Sequence, residues 1–278
     1  MKVIAVAGGT GSVGSTIVDG LVEYGNHKER PSTGAVNYLK VDYSDIDATT
    51  KALEEANVNT VICAIAVISP ESNQAQKNLI QAAAQSRPTK RFVISSFDAL
   101  HMKEDVEIAP WWGYTFEAID MLEKTSLVYT RIANGWFLDY YGMPHWKTNL
   151  EPWLNVLNME SKWAAIPGDG GVQASFVTSQ DICSSLSWNH LINELLDAKF
   201  EVAVDSLEKL RSGKISFFPD YPPIGMGDGD EAFFATIHYL AGIGRYLVPR
   251  DLPFLDDKFP NLKVTTASEV MESSWKGP

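Results

Sequence analysis

The sequence predicts an α/β chain, with a doubly wound parallel sheet followed by a smaller C-terminal lobe. Three observations carry that prediction. Strand-like apolar runs alternate with helix-period segments over residues 2 to 133, several of those runs are apolar almost throughout, and a glycine-rich turn joins the first run to the first helix. Such alternation builds right-handed crossover units. Runs without polar alternation belong to strands covered on both faces, as in parallel sheets.

In order, "KVIAVA" at 2–7 is a β-branched run closed by glycines, and residues 12–24 place Val13, Ile17, Leu21 and Val22 at helical spacing. The polar stretch "GNHKERPSTGA" leads to "VNYLKVD" at 36–42, read as a strand, and "SDIDATTKALEEAN" at 44–57, read as a helix. Strands are expected at 59–67, 91–96 and 127–133, with helices at 71–86 and 113–124 between them. Beyond Asn134 the pattern loosens into an aromatic-rich segment and the turn "PGDGG". "TSQDI" resembles a capping box, with Thr178 as N-cap and Asp181 three residues on.

Composition narrows the partners. The chain has 278 residues, 45% of them hydrophobic, and a formal charge of −12 with no basic block. That argues against nucleic acid or an anionic membrane and favours a neutral or cationic partner, or a nucleotide gripped by backbone amides. Cys63 and Cys183 lie far apart without metal-ligand spacing, so a reducing cytoplasmic setting is expected. The N-terminal apolar run is too short for a signal peptide, and no run is long enough to span a bilayer.

The chemistry starts in "AVAGGTGSVGSTI". Gly9, Gly11 and Gly14 match G-x-G-x-x-G, and Gly8, Gly11 and Gly14 match the related G-x-x-G-x-x-G. The first glycine permits the tight turn, Gly11 lets the backbone approach a pyrophosphate, and Gly14 lets helix and strand pack closely. The free amides and positive end of the helix beginning near Ser12 supply an anion site, and Thr10, Ser12 and Val13 join the glycines as expected cofactor-binding residues. No Lys followed by Ser or Thr comes after the last glycine, so a P-loop is disfavoured. A dinucleotide-binding domain is expected over residues 1–150, and a C-terminal substrate lobe, interleaved with it, over 151–278.

With "AGGTGSVGSTIVDGL", "VDYSD", "RFVISSFD", "YTFEAIDMLEKTSLVYTRIANGWFLDYYG" and "FVTSQDI" in order, the chain resembles the NmrA-like and isoflavone-reductase-like atypical short-chain dehydrogenases over roughly residues 1–183. The resemblance implies a Rossmann domain that binds NADP(H), with a smaller C-terminal lobe over the nicotinamide. It does not by itself imply catalysis, because the family includes redox-sensing regulators.

Two departures stand out. Between Tyr24 and Val36 the family has a second strand ending in a basic residue for the 2′-phosphate, whereas this chain has no apolar run there, so one strand of the sheet is expected to be missing. Lys28 or Arg30 could still reach a 2′-phosphate, while Glu29 lies where an NAD-selecting acid is expected; NADP is the expected cofactor, with NAD as the alternative. On the family reading Asp42 and Tyr43 border the adenine; on a rival assignment "VNYLKV" is the second strand and Asp42 the ribose ligand. A second shortening falls after Asp181. A missing neighbour would leave the first strand with an edge that must be covered.

Ser95 and Ser96 end a strand-like run at the carboxyl edge of the sheet, where open α/β folds bind ligands, or else cap the next loop; Ala64, Ile65 and Ala66 end the preceding strand and line the cofactor channel, and Asn134 with Gly135 either does the same or forms a turn. The proton donor is less defined. The Tyr-Lys pair of ordinary short-chain dehydrogenases is broken, since Tyr114 is followed four residues on by Ala118. The isoflavone-reductase branch has a Lys at the start of this helix, where the chain offers Thr115 and Glu117. Tyr114, Glu117 and His145 are the candidate acid-base residues, with Tyr140 and Tyr141 as further donors. Trp111, Trp112, Trp136, Phe137 and Trp146 either pack a core or wall a pocket for a flat substrate.

The leading expectation is an NADP(H)-dependent reductase of a small aromatic or polyketide-like metabolite, with hydride transfer to a carbonyl or conjugated alkene. The alternatives are a non-catalytic redox-sensing regulator, which would act through a protein partner, and an isomerase or cyclase on a Rossmann scaffold.

Overall fold

The computed structural model describes residues 2–24, 36–153, 156–180, 184–187, 200–216, 230–252 and 264–275. Two compact units emerge: Met1–Phe97 with His101–Ile132, and Asp98–Leu100 with Ala133–Pro278.

The first unit is an α/β layer structure. A four-stranded parallel sheet runs in the order β1 (Val3–Ala7), β2 (Val58–Cys63), β3 (Arg91–Val93), β4 (Val128–Thr130). Helices α1 (Ser12–Tyr24), α2 (Ile46–Glu55), α3 (Pro70–Gln85) and α4 (Gly113–Leu122) connect the strands. Local chemistry sets their starts. The Asp45 side chain accepts from the Ala48 amide to cap α2, while Ser69 and Ser72 cap α3 reciprocally ahead of Pro70. The apolar faces of α2, α3 and α4 bury Leu53, Leu79, Ile80, Ala83, Ala118 and Leu122 against Val58, Val61, Cys63, Phe92 and Ile94 of the sheet and its continuation. Burial pushes the Cys63 thiol up to about 12, so it packs as an apolar group.

The expected strand at 36–42 does not form. Those residues join no ladder, and Tyr38 and Leu39 are 73% and 61% exposed. Alternating apolar residues need a hydrogen-bonded neighbour to become a strand, and no described strand offers one. On its side away from β2, β1 likewise has no strand partner among the described residues. Val3 and Ile4 are accordingly exposed, where a strand inside a parallel sheet would bury them.

Among its described residues the second unit holds two three-stranded sheets. β5 (Trp136–Phe137) pairs with β8 (Gln173–Val177), which pairs antiparallel with β9 (Ser184–Ser187). β6 (Leu157–Asn158) and β10 (Glu201–Asp205) flank β7 (Trp163–Pro167), a strand buried at every position. Among the described residues its helices are α5 (Asp139–Gly142), α6 (Leu207–Arg211), α7 (Asp230–Gly242) and α8 (Ala267–Trp275). The capping-box reading of "TSQDI" falls partly on Asp181, which lies outside the described residues, while Ser184–Ser187 form a strand on β8. Cys183 lies outside the described residues.

Two buried carboxylates organise this unit. Asp139 accepts from Thr148 Oγ1 at 2.7 Å and from the backbone amide and hydroxyl of Ser179 at 2.7 and 2.6 Å. Asp205 accepts from Lys209 Nζ at 2.6 Å and from the Ser216 amide and hydroxyl at 2.8 and 2.7 Å. Burial drives the nearby His238 imidazole down to about 4, against the pull of the Asp205 charge. An unfolded imidazole titrates near 6.5, so the unfolded chain takes up the extra proton first. Stability is therefore expected to fall as the pH drops from about 6.5 towards 4, by up to about 3 kcal/mol. Denaturant melts at both ends of that window check this, with His238→Leu expected to lose that part of the slope.

Candidate functional site

The turn between β1 and α1 is built by glycines for which nothing larger fits. Gly8 has φ +78°, and a Cβ there would sit 2.8 Å from the Ala64 carbonyl oxygen and 3.1 Å from the Ile65 nitrogen. A Cβ on Gly14 would press into Gly8, 2.7 Å from its carbonyl carbon. Gly11 differs. Its nearest neighbour would be the Gly8 carbonyl oxygen at 3.3 Å, with nothing else within 4 Å, so the space over Gly11 is open. Gly8 and Gly14 thus serve the packing of the turn, and Gly11 leaves room for a ligand. The Gly11 amide closes the turn on the Gly8 carbonyl, and Ser15 N–H on Gly11 O begins the helical ladder. The amides of Ser12, Val13 and Gly14 in the first turn of α1 have no acceptor inside the helix.

Other candidates gather around this turn. Burial lifts the Tyr43 pKa, and the neighbouring Gly8 backbone opposes that rise. Asn78 Nδ2 donates to the Tyr43 carbonyl. Asp42 is exposed, and its Oδ1 takes both the Ser44 hydroxyl and amide, which hold the carboxyl below its ordinary range. Ser95 Oγ donates to the Ile65 carbonyl at 2.5 Å, tying the segments beyond β2 and β3 together, while its amide donates to the buried Gln76. The structure therefore brings Gly8, Tyr43, Ala64, Ile65 and Ser95 into one neighbourhood. Thr10 and Ala66 are exposed.

Ser96 is engaged differently. It is buried and accepts from Arg131 Nε at 3.2 Å, and Arg131 Nη1 donates to the His101 carbonyl. Asn134, in the second unit, donates its backbone amide to the Asp98 carbonyl and its side chain to the Gly135 carbonyl. Lys28 and Arg30 lie outside the described residues.

The acid-base candidates are dispersed. Tyr114 is half-buried near the start of α4. Glu117 bridges α4 to α3 through bonds from Asn73 Nδ2 and Lys77 Nζ, both at 3.0 Å. Burial raises the Glu117 pKa, but these bonds and the Lys77 charge outweigh it and keep the carboxyl below its usual range. It is thus held as a carboxylate, a poor proton donor. Lys77→Met is expected to move the Glu117 titration upwards, as read by carboxyl NMR. The pair's contribution is full above about pH 4.3, is lost as the pH falls through the lower folded value, and stays below about 1 kcal/mol because Glu117 is half-exposed. His145 is exposed, edge-on to Trp275 at 5.0 Å.

Sequence reasoning missed His101. Its Nδ1 lies 2.9 Å from Thr115 Oγ1, and its ring stacks on Trp112 at 4.5 Å. Thr115, at the place where the resemblance implies a Lys, is therefore buried against an imidazole. No local spacing announces such a pair.

Comparison with known proteins supplies relatives. The chain is 35% identical over 189 residues to Oxidoreductase BOA1 of Botryotinia fuckeliana, a match covering 64% of this chain and 63% of that protein. It is 26% identical to Oxidoreductase swnN of Metarhizium robertsii across 99% of this chain and 98% of that protein. That alignment spans 333 positions, more than this chain contains, so it opens gaps in the chain. Among solved structures, the complex of leucoanthocyanidin reductase from Vitis vinifera with NADPH superimposes with a TM-score of 0.68 at 16% identity, covering 96% of this chain and 97% of that one. The NmrA-like family model matches residues 1–187, and the chain belongs to the NmrA-like family.

Proposed function

We propose that this protein is an NADP(H)-dependent reductase of a small aromatic or polyketide-like metabolite. One observation carries the reading: the turn whose glycines Gly8 and Gly14 close against backbone while Gly11 stays open, with the first-turn amides of α1 beside it. That is a cradle for a pyrophosphate, and a methyl group on Gly11 would fill it. Full-length and partial relatives named as oxidoreductases, and a structural neighbour solved with NADPH, support the same assignment.

In this reading Gly8, Gly9, Thr10, Gly11, Ser12, Val13 and Gly14 hold the pyrophosphate. Asp42 and Tyr43 border the adenine, Lys28 or Arg30 takes the 2′-phosphate, and Ala64, Ile65, Ala66, Ser95, Ser96 and Asn134 line the remaining cofactor path. The bound cofactor supplies a hydride to a carbonyl or conjugated alkene. The acid-base work falls to Tyr114 or His145, ahead of Glu117, which Lys77 keeps ionised.

The second reading, a dinucleotide-binding regulator without turnover, is favoured by the burial of Thr115 on His101 where the reductase branch has a Lys. Titration with NADPH and NADH, followed by nicotinamide oxidation against a panel of aromatic carbonyl compounds, separates the two. Binding with turnover supports the reductase, binding alone supports the regulator, and no binding defeats both.

A further inference from the structure

Helix α3 carries a glutamine where its neighbours are apolar. Gln76 is 0% exposed and sits one turn before Leu79, Ile80 and Ala83, which pack the sheet. Its Oε1 accepts from the Ser95 amide at 3.3 Å, while its Nε2 is buried with no hydrogen-bond partner among the described residues. A buried amide costs stability unless its polar atoms are satisfied. Methionine would occupy similar space without stranding a donor, so packing does not account for a glutamine here.

The end of the sheet shows what this side chain does. Pairing of β2 with β3 runs from Thr60 and Arg91 to Ile62 and Val93 and stops there. The Ile94 amide still donates to the Thr130 carbonyl on the β4 side, but the Ser95 amide leaves the ladder for Gln76. The Ser95 hydroxyl in turn donates to the Ile65 carbonyl at 2.5 Å. Side chains thus take over from backbone bonds at the carboxyl edge, where an open α/β sheet places its ligand crevice. Ile65 then meets the glycine turn. A Cβ on Gly8 would lie 2.8 Å from the Ala64 carbonyl oxygen and 3.1 Å from the Ile65 nitrogen, so the Gly8 backbone rests on that peptide.

We propose that Gln76 is a positioning residue for the glycine turn: it holds the Ser95 amide, Ser95 holds the Ile65 carbonyl, and the Ala64–Ile65 peptide supports Gly8. Being fully buried, Gln76 touches no ligand and acts only through this chain. That the turn so shaped takes a dinucleotide rests on the reading under Proposed function; the chain of contacts does not.

The test reads NADPH affinity by fluorescence titration and, without nucleotide, exchange of the Gly9 and Gly11 amides by NMR. Both amides close the turn, on the Val6 and Gly8 carbonyls. Gln76→Met removes the acceptor and is expected to weaken NADPH binding about tenfold and to speed exchange at both amides severalfold. Gln76→Glu keeps an oxygen for the Ser95 amide, and burial favours its neutral form, so it stays within about threefold of wild type in affinity. Leu79→Val cuts the core on the same helix and lowers the melting temperature without moving either reading. Ser95→Ala breaks the chain one bond further on and leaves α3 intact, so it carries the exchange test even where Gln76→Met does not fold. Combined with Gln76→Met it costs no more affinity than the worse single variant, because both act through one chain. Wild-type affinity in Gln76→Met, losses that add in the double variant, unchanged exchange in Ser95→Ala, or the same loss in Leu79→Val each overturns the proposal. Faster exchange in the variants of a protein that binds no NADPH sinks the dinucleotide reading and leaves the positioning chain standing.

Discussion

Gly11→Ala is expected to fold normally and to bind NADPH about 10- to 100-fold more weakly than the wild type. The added methyl meets only the Gly8 carbonyl oxygen, at a separation that a small shift relieves, so the protein itself has little reason to object. A pyrophosphate lying on that surface does, because the glycine exists to let a phosphate approach the backbone. Gly14→Ala makes the useful contrast. Its methyl would be driven into Gly8, backbone against backbone, forcing α1 away from β1. That variant should lose about 1–3 kcal/mol of stability along with binding. Circular dichroism melts beside fluorescence titrations separate the two cases, and an unstable Gly11→Ala, or one that binds like wild type, would show that this turn has been misread.

Asp205→Ala is expected to produce the largest loss of stability, about 3 kcal/mol. The carboxylate is fully buried and anchors three donors, from Lys209 and Ser216, while its own backbone carbonyl receives the Gly168 amide. Truncation strands the Ser216 amide and removes the counter-charge of Lys209. The lysine is 38% exposed and can turn to water, which limits the cost. The melting temperature should fall by roughly 6–12 °C for a chain of this size. Asp205→Asn, which keeps the shape and one acceptor, should lose about half as much. NADPH affinity should hardly move in either variant, because neither substitution touches the glycine turn.

Those two residues also mark how far the sequence was legible. The glycine turn, α1, α2, α3 and α4 could be read because their signals are local: glycine spacing, apolar residues at helical period, Ser and Asp caps. "VNYLKVD" misled for the complementary reason, since a strand needs a partner, and the partner is not written in the same seven residues. Within the site, Gly8, Tyr43, Ala64, Ile65 and Ser95 were named from the motif and the resemblance, and the fold brings them together. His101 on Thr115, Gln76 with Ser95 and Asp205 with Ser216 join residues whose sequence separations carry no periodic signature. Buried polar pairs of this kind become visible only when the chain is folded.

Glu117 shows how structure alters a chemical role that residue type suggests. A carboxyl on the helix that carries Tyr114 reads as a proton donor. With Lys77 and Asn73 on one oxygen it is instead a fixed anion joining α3 to α4. The donor must then come from elsewhere or the protein must do without one, which is the point on which the reductase and regulator readings divide.

The most direct test is a crystal structure of the protein grown with saturating NADPH. The account predicts the pyrophosphate lying over the Gly11 Cα, within hydrogen-bonding distance of the Ser12 and Val13 amides. A nucleotide bound elsewhere with this turn empty, or no nucleotide at saturating concentration, would contradict it.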